Sequence, residues 1–319
     1  MKPLVIYHAN CTDGYGAAFA AWLKLGDGAE YVPMQYGNDY ALSKNTFEFK
    51  DREVYILDFS FPRNIMDMLF EGAKRVVWLD HHKTAFEMWC STEREHFILN
   101  DTTDNVIILD NNKSGALLAW EYFHPNTEVP MLIKHIDDRD RWQWVLEGSA
   151  EIHAALGSMQ PWSFEQWNTL IMDRTEVDSA DGLQGKSAFI AEGAAILRAQ
   201  DQNIARMAKQ ARKCGIALDH DIKLYPNELN LHPEEPVTLP GLAVNTPIHQ
   251  SEVGHELANQ SGTYGLVFYL AADGRVRCSL RSNGDYDVSA IARAFGGGGH
   301  RNAAGFETDI ETLMGWLSC

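Results

Sequence analysis

Four times within the first 140 residues a short apolar run gives way to an aspartate. Leu4–Tyr7 leads into His8 and, past a glycine-bearing link, Asp13. Glu53–Leu57 leads into Asp58, Val76–Leu79 into Asp80, and Met131–Ile136 into Asp137 and Asp138. Short runs rich in β-branched and aromatic residues read as buried strands. Between them Ala17–Leu25, Asn64–Ala73 and Ser114–Tyr122 have helix-forming composition, and such alternation predicts a parallel α/β sheet. Ligands of open α/β sheets gather at the C-terminal ends of the strands. The repetition therefore predicts strand–loop–helix connections that bring Asp13, Asp58, Asp80 and Asp138 to one sheet edge. Each acid alone is an ordinary helix cap; four of them favour a shared site.

The most concentrated of these stretches is Val76–Thr84, V-V-W-L-D-H-H-K-T. Asp80, His81 and His82 put one carboxylate and two imidazoles at a strand end, a donor set suited to a divalent metal. His8 and Asp13 flank a turn beside a helix N-terminus, which favours anions. Tyr31–Gln35, Phe97–Leu99 and Val106–Leu109 are further strand candidates.

The chain of 319 residues is long enough for two domains, and its formal charge is −17. Proteins that grip long nucleic acid gain affinity from a basic face. This balance argues against long DNA or RNA and leaves room for a short anion in a local basic pocket. Five scattered cysteines (Cys11, Cys90, Cys214, Cys278, Cys319) point to reduced thiols and a cytoplasmic protein. No apolar run approaches the roughly 20 residues that span a bilayer.

From Lys186 to about Lys213 apolar residues recur at helical spacing, predicting a long helix between two domains. Four prolines within 222–241 mark a loop-rich entry to the second domain. There Leu242–Asn245, Tyr264–Ala271 and Arg275–Arg281 read as strands, with Asp273-Gly274 as a hairpin signal. Asp287–Phe295 and Ile310–Leu317 read as helices. Between these helices runs Gly296-Gly297-Gly298-Gly299-His300-Arg301-Asn302, expected to be a binding loop whose bare N–H groups approach an anion. From Arg275 to Arg301 five arginines and two aspartates give a local net of +3, a basic island suited to one or two phosphates. Arg281 can offer a bidentate fork.

The order of these motifs resembles the DHH phosphoesterase family with its DHH-associated C-terminal domain. Asp80-His81-His82 matches the name-giving motif and Asp58 the second. Ile136-Asp137-Asp138 resembles the fourth, and Gly297–Gly305 the GGGH signature. The resemblance implies a parallel-sheet DHH domain (1–185), a linker helix (186–215) and a smaller mixed α/β substrate-binding domain (216–319). It implies two divalent cations, manganese by family habit. Their ligands would be His8, Asp13, Asp58 as bridge, His81 and Asp138, with Asp137 the rival for the last place. Asp80 would orient an imidazole, and His82 would donate to the phosphoryl oxygen or leaving group. Arg281, Gly298, Gly299, His300, Arg301 and Asn302 would hold the substrate. The family's first motif runs His-x-x-x-Asp-x-Asp. Here it is one residue shorter and places Cys11 where the first carboxylate is expected, which opens the occupancy of the first metal position.

The implied reaction is hydroxide attack on a phosphodiester, as in a 3′–5′ exonuclease of short oligonucleotides or dinucleotides. A phosphomonoesterase on a nucleoside 3′,5′-bisphosphate, or a pyrophosphatase, is the nearest rival. A non-catalytic nucleotide-binding module is a third reading.

Overall fold

Alternate residues of the first strands are apolar throughout, which suits a sheet covered on both faces. The computed structural model describes residues 1–35, 48–90, 96–100, 104–173, 186–218, 237–284 and 286–318. The proline-bearing stretch 222–236, Asp285 and Cys319 lie outside the described residues. The chain divides into two compact units, Met1–Arg198 and Ala199–Cys319.

In the first unit the strands are β1 (Leu4–His8), β2 (Glu30–Met34), β3 (Glu53–Leu57), β4 (Arg75–Asp80), β5 (His96–Asn100) and β6 (Val106–Asp110). The sheet order is β2-β1-β3-β4-β6-β5. All neighbours are parallel except the β5–β6 pair. Val5, Tyr7, Tyr55, Leu57, Val77 and Leu79 face one apolar layer. That layer is built from α1 (Thr12–Leu25), α4 (Gly115–Phe123), α5 (Met131–Asp140), α6 (Ser149–Ser158) and Trp167 of α7 (Phe164–Asp173). Leu4, Ile6, Val54, Ile56, Val76 and Trp78 face the other layer, with α2 (Arg63–Gly72) and α3 (Lys83–Trp89). Each such Leu, Ile or Val contributes about 1.5–3 kcal/mol by leaving water. The period of two thus fixes register and faces together.

The second unit carries β7 (Arg212–Leu218), β8 (Val237–Asn245), β9 (Tyr264–Leu270), β10 (Val276–Ser282), β11 (Gly298–His300) and β12 (Ala303–Thr308). Their order is β11-β12-β10-β9-β8-β7, antiparallel except for β8 with β9. Its helices are α9 (Gln250–Ser261), α10 (Val288–Ala294) and α11 (Ile310–Leu317). The chain is a mixed α/β protein, with a mainly parallel sheet followed by a mixed one. No described helix is long and apolar enough to cross a membrane.

Four expectations change. Met131–Asp140 is helix rather than strand and loop. α1 begins at Thr12, so Asp13 sits in its first turn rather than on a loop. The long helix, α8 (Lys186–Ala208), stops before Lys213, because Arg212–Leu218 pairs with β8. The glycine stretch is not an open loop: Gly298–His300 pairs antiparallel with Gly305–Ala303.

Candidate metal centre

Register builds the site. Tyr7 pairs with Leu57 and Leu57 with Leu79. The next residue on each strand, His8, Asp58 and Asp80, therefore lies level at the C-terminal edge. Asp58 takes a left-handed backbone (φ 53°), which turns the chain off the strand while its N–H bonds Leu79 O at 2.9 Å. Aspartate tolerates that conformation better than most residues.

Two neighbours close on Asp58. The N-terminus of α4 approaches so closely that a Cβ on Gly115 would lie 2.4 Å from Asp58 Cβ. Its first N–H groups, on Gly115 and Ala116, donate to the two oxygens of Asp13 at 2.7 and 2.8 Å. The helix dipole favours the anionic carboxylate there. Cys11 is the N-cap of α1, and its Sγ accepts from Gly14 N and lies 3.6 Å from Asp58 Oδ2. Burial, then Asp58, Asp13 and Asp140, push the Cys11 thiol well up, so the cap stays protonated.

Within the first unit two groups of donor atoms each lie within 4.8 Å of one another: His8, Asp58, His82 and Asp13, His81, Asp140. Asp58 touches both, with Oδ2 3.5 Å from His8 Nδ1 and Oδ1 3.0 Å from His81 Nε2. His81 Nε2 also lies 3.3 Å from Asp13 Oδ2 and 3.5 Å from Asp140 Oδ2. Asp80 Oδ1 accepts from the backbone N–H of His81 and His82 and meets His82 Nδ1 at 2.7 Å. That contact fixes the ring of His82, as an outer carboxylate does for a ligating imidazole. His82, expected as a proton donor, thus lies with His8 and Asp58 within reach of one cation.

Asp138 does not join the cluster. Its carboxylate accepts from Val145 N, Leu146 N and Ser149 Oγ. Its rival Asp137 accepts from Ser114 N and lies 3.4 Å from Arg141. Asp140, three residues on from Asp137 in the last turn of α5, takes the place expected of Asp138. Pro130 at the N-cap and buried Leu132, Ile133 and Ile136 at helical spacing were the signal for this phase.

Asp13, Asp58 and Asp80 are almost wholly buried. Asp80 Oδ2 has no hydrogen-bond partner among the described residues, and Asp58 Oδ1 meets the His81 ring at 3.0 Å. Burial, then Asp58 and Asp140, raise Asp13 well above the usual carboxylate range. Burial would also raise Asp58, but His8, His81 and His82 around it hold it well below that range. Burial alone lowers an imidazole, yet the carboxylates around His8 and His81 raise both, His81 strongly. Without a counter-ion the cluster retains protons, and a divalent cation can take their place. Oriented carboxylate and imidazole donors with an orphaned buried acceptor fit such an ion.

Beside the cluster, His135 Nδ1 donates to Ser149 Oγ at 2.8 Å, and Ser149 donates to Asp138. His135 Nε2 is buried without a partner. Burial, then Lys186, push His135 down to about 4. The unfolded chain takes up that proton near pH 6.5, and the fold only near 4. The contribution of His135 to stability should therefore be level above pH 6.5 and fall as the pH drops toward 4. In urea titrations His135→Gln should lower the pH slope in that window by up to one proton; an unchanged slope contradicts the argument.

In the second unit the basic island is smaller than its count. Arg277 pairs with Asp273 and Glu307, and Arg275 with Glu307. Arg281 donates to Ser279 Oγ, Leu280 O and Ser251 Oγ, and Arg301 to Gly284 O. Gly299 has φ 138°, which an L side chain rarely adopts, and pairs with Ala304. His300 pairs with Ala303, and Asn302 meets Ser282 through its backbone O and side-chain Oδ1. The β11–β12 turn is thereby tied to β10.

Residues 243–314 match the family model described as the DHHA1 domain. The chain is 29% identical over 318 residues to the uncharacterized protein R106 of Acanthamoeba polyphaga mimivirus, covering 95% of this chain and 66% of that one. It is 22% identical over 316 residues to the oligoribonuclease NrnB of Bacillus subtilis strain 168, covering 94% and 71%. The chain thus spans just under two thirds of the viral relative. Among solved structures, the pGpG-specific phosphodiesterase PggH of Vibrio cholerae aligns at TM-score 0.45 and 14% identity, covering 98% of this chain and 95% of that one. RecJ of Thermus thermophilus, solved with Mn2+, aligns at TM-score 0.44 and 14% identity, covering 98% and 50%.

Proposed function

We propose, from the DHHA1 match over residues 243–314 and the DHH-like order of the N-terminal motifs, that the chain is a DHH-type, cation-dependent phosphodiesterase that trims short oligonucleotides or dinucleotides from the 3′ end. The observation that carries this reading is Asp58, placed between His8–His82 on one side and Asp13–His81–Asp140 on the other. Asp58 would hold divalent cations together with these neighbours, manganese being our first choice. When bound, such ions polarise the phosphoryl oxygens and acidify a coordinated water.

The protein's own residues do the rest. Asp80 holds the His82 ring through Nδ1. The N–H groups of Gly115 and Ala116 keep the Asp13 carboxyl aimed into the cluster. Cys11 caps α1 through its Sγ, beside Asp58. In the second unit Arg281, Gly298, Gly299, His300, Arg301 and Asn302 are our candidates for contacts to substrate phosphate and sugar. A net charge of −17 suits a short substrate, since repulsion grows with each added phosphate. NrnB, a relative along nearly the whole chain, is named an oligoribonuclease, which supports the same class.

A panel of dinucleotides, five-mers, longer single strands, nucleoside 3′,5′-bisphosphate and pyrophosphate, each with Mn2+, tests the proposal. Turnover should be greatest on the two shortest and absent with EDTA. Mn2+ at about 100 times its Kd should stabilise the first unit by about 2.7 kcal/mol, raising its melting temperature by about 5–10 °C. Hydrolysis confined to pyrophosphate or the bisphosphate, or no melting shift with Mn2+, Mg2+ or Zn2+, overturns it.

A further inference from the structure

We propose that Trp142 and Trp144 form a stacking platform for a nucleobase of the substrate, an inference that rests on the phosphodiesterase reading above. The chain has nine tryptophans, all among the described residues. Seven are buried or half-buried; these two are exposed, at 40% and 38%. Their rings lie 5.0 Å apart at 75°. Part-exposed indoles at neighbouring positions need a reason, since tryptophan is highly buried on average.

The backbone beneath them is held in an unfavourable shape. Both tryptophans have φ 55°, a left-handed conformation that bulky residues rarely adopt. Asp138 holds it: its carbonyl accepts from Gln143 N at 2.9 Å and Trp144 N at 3.5 Å. Its carboxylate accepts from Val145 N and Leu146 N at 2.8 and 3.2 Å. Trp142 N bonds Arg139 O at 2.9 Å. A buried carboxylate thus fixes a strained turn that displays two rings, and strain kept in this way is characteristic of functional segments.

The turn begins directly after a cation donor. Trp142 follows Asp140 by two residues, so their Cα atoms lie within about 7.6 Å. A chain of charge −17 gains little from broad phosphate contacts. Stacking needs no charge, tolerates every base, and strengthens binding by about 5–150-fold per base. It supplies affinity for a one- or two-base substrate that the electrostatics withhold.

The probes are adenosine 5′-monophosphate and ribose 5-phosphate, titrated calorimetrically into the full chain. W142A/W144A should weaken the nucleotide at least tenfold and leave ribose 5-phosphate within twofold. W142F/W144F should restore the nucleotide to within threefold of wild type. Circular dichroism and melting confirm folding; if the double alanine variant is unfolded, W142A and W144A singly carry the same expectation, each with a smaller loss. Unchanged nucleotide affinity, or equal loss for both probes, overturns the platform. So does a change confined to self-association or to binding of another protein. Base-dependent binding that needs the tryptophans, in a wild type that cleaves no phosphodiester, sinks the catalytic reading and keeps the platform. Cleavage with tryptophan-independent binding does the reverse.

Discussion

Asp58→Asn should abolish cation-dependent hydrolysis while leaving the chain folded. Asparagine tolerates the left-handed backbone at this position (φ 53°) and nearly matches the shape of aspartate. Alanine would lack that tolerance, at about 1–2 kcal/mol for the backbone alone. The variant therefore changes charge and donor strength more than structure. The lost carboxylate is the one that touches both donor groups, so both cation positions weaken together. Charge stabilisation by bound cations is worth several kcal/mol. At 1.36 kcal/mol per decade this predicts a fall in kcat/KM of at least about 10³-fold on a dinucleotide. A folded variant with wild-type turnover removes Asp58 from the chemistry.

Gly115→Ala should also damage the centre, although Gly115 supplies no donor atom itself. In an unconstrained helix the change would help by up to about 1 kcal/mol. Here the new methyl would lie 2.4 Å from Asp58 Cβ and 2.8 Å from its Cγ and Oδ1. Either Asp58 or the start of α4 must yield. If α4 yields, the N–H bonds from Gly115 and Ala116 to Asp13, at 2.7 and 2.8 Å, open as well. Overpacking of this kind costs about 1–3 kcal/mol, and losing an outer hydrogen-bond partner lowers cation affinity about 10–100-fold. Denaturant titration and Mn2+ binding measure the two effects. A variant more stable than wild type, with full Mn2+ affinity, shows that the contact is slack.

These residues also show what the chain's order of letters reveals. His8, Asp58, Asp80, His81 and His82 are legible because position at a strand's end is a local property, and parallel register then aligns neighbouring strands. Asp13 is legible for the same reason, although it begins a helix. Asp140 is not. An apolar run of six residues does not distinguish strand from helix, and the choice between them decides whether Asp138 or Asp140 is presented. The arginine island misleads differently: Asp273 and Glu307 lie outside the counted window, Asp273 meeting Arg277 across the turn that leads into β10 and Glu307 reaching Arg275 and Arg277 through the antiparallel pairing of β10 with β12. Gly115 is invisible as a constraint until Asp58 is seen against it.

Every donor in the cluster precedes residue 141, inside the unit that ends at Arg198. The arginines and paired glycines proposed to meet substrate belong to the other unit. The proposed ion capture and base stacking thus lie in one passage of the polypeptide, and the proposed phosphate contacts in another. A descendant can exchange the second passage for a foreign one and inherit the ion-holding half whole, so new substrates can arise by grafting without rebuilding the inorganic core.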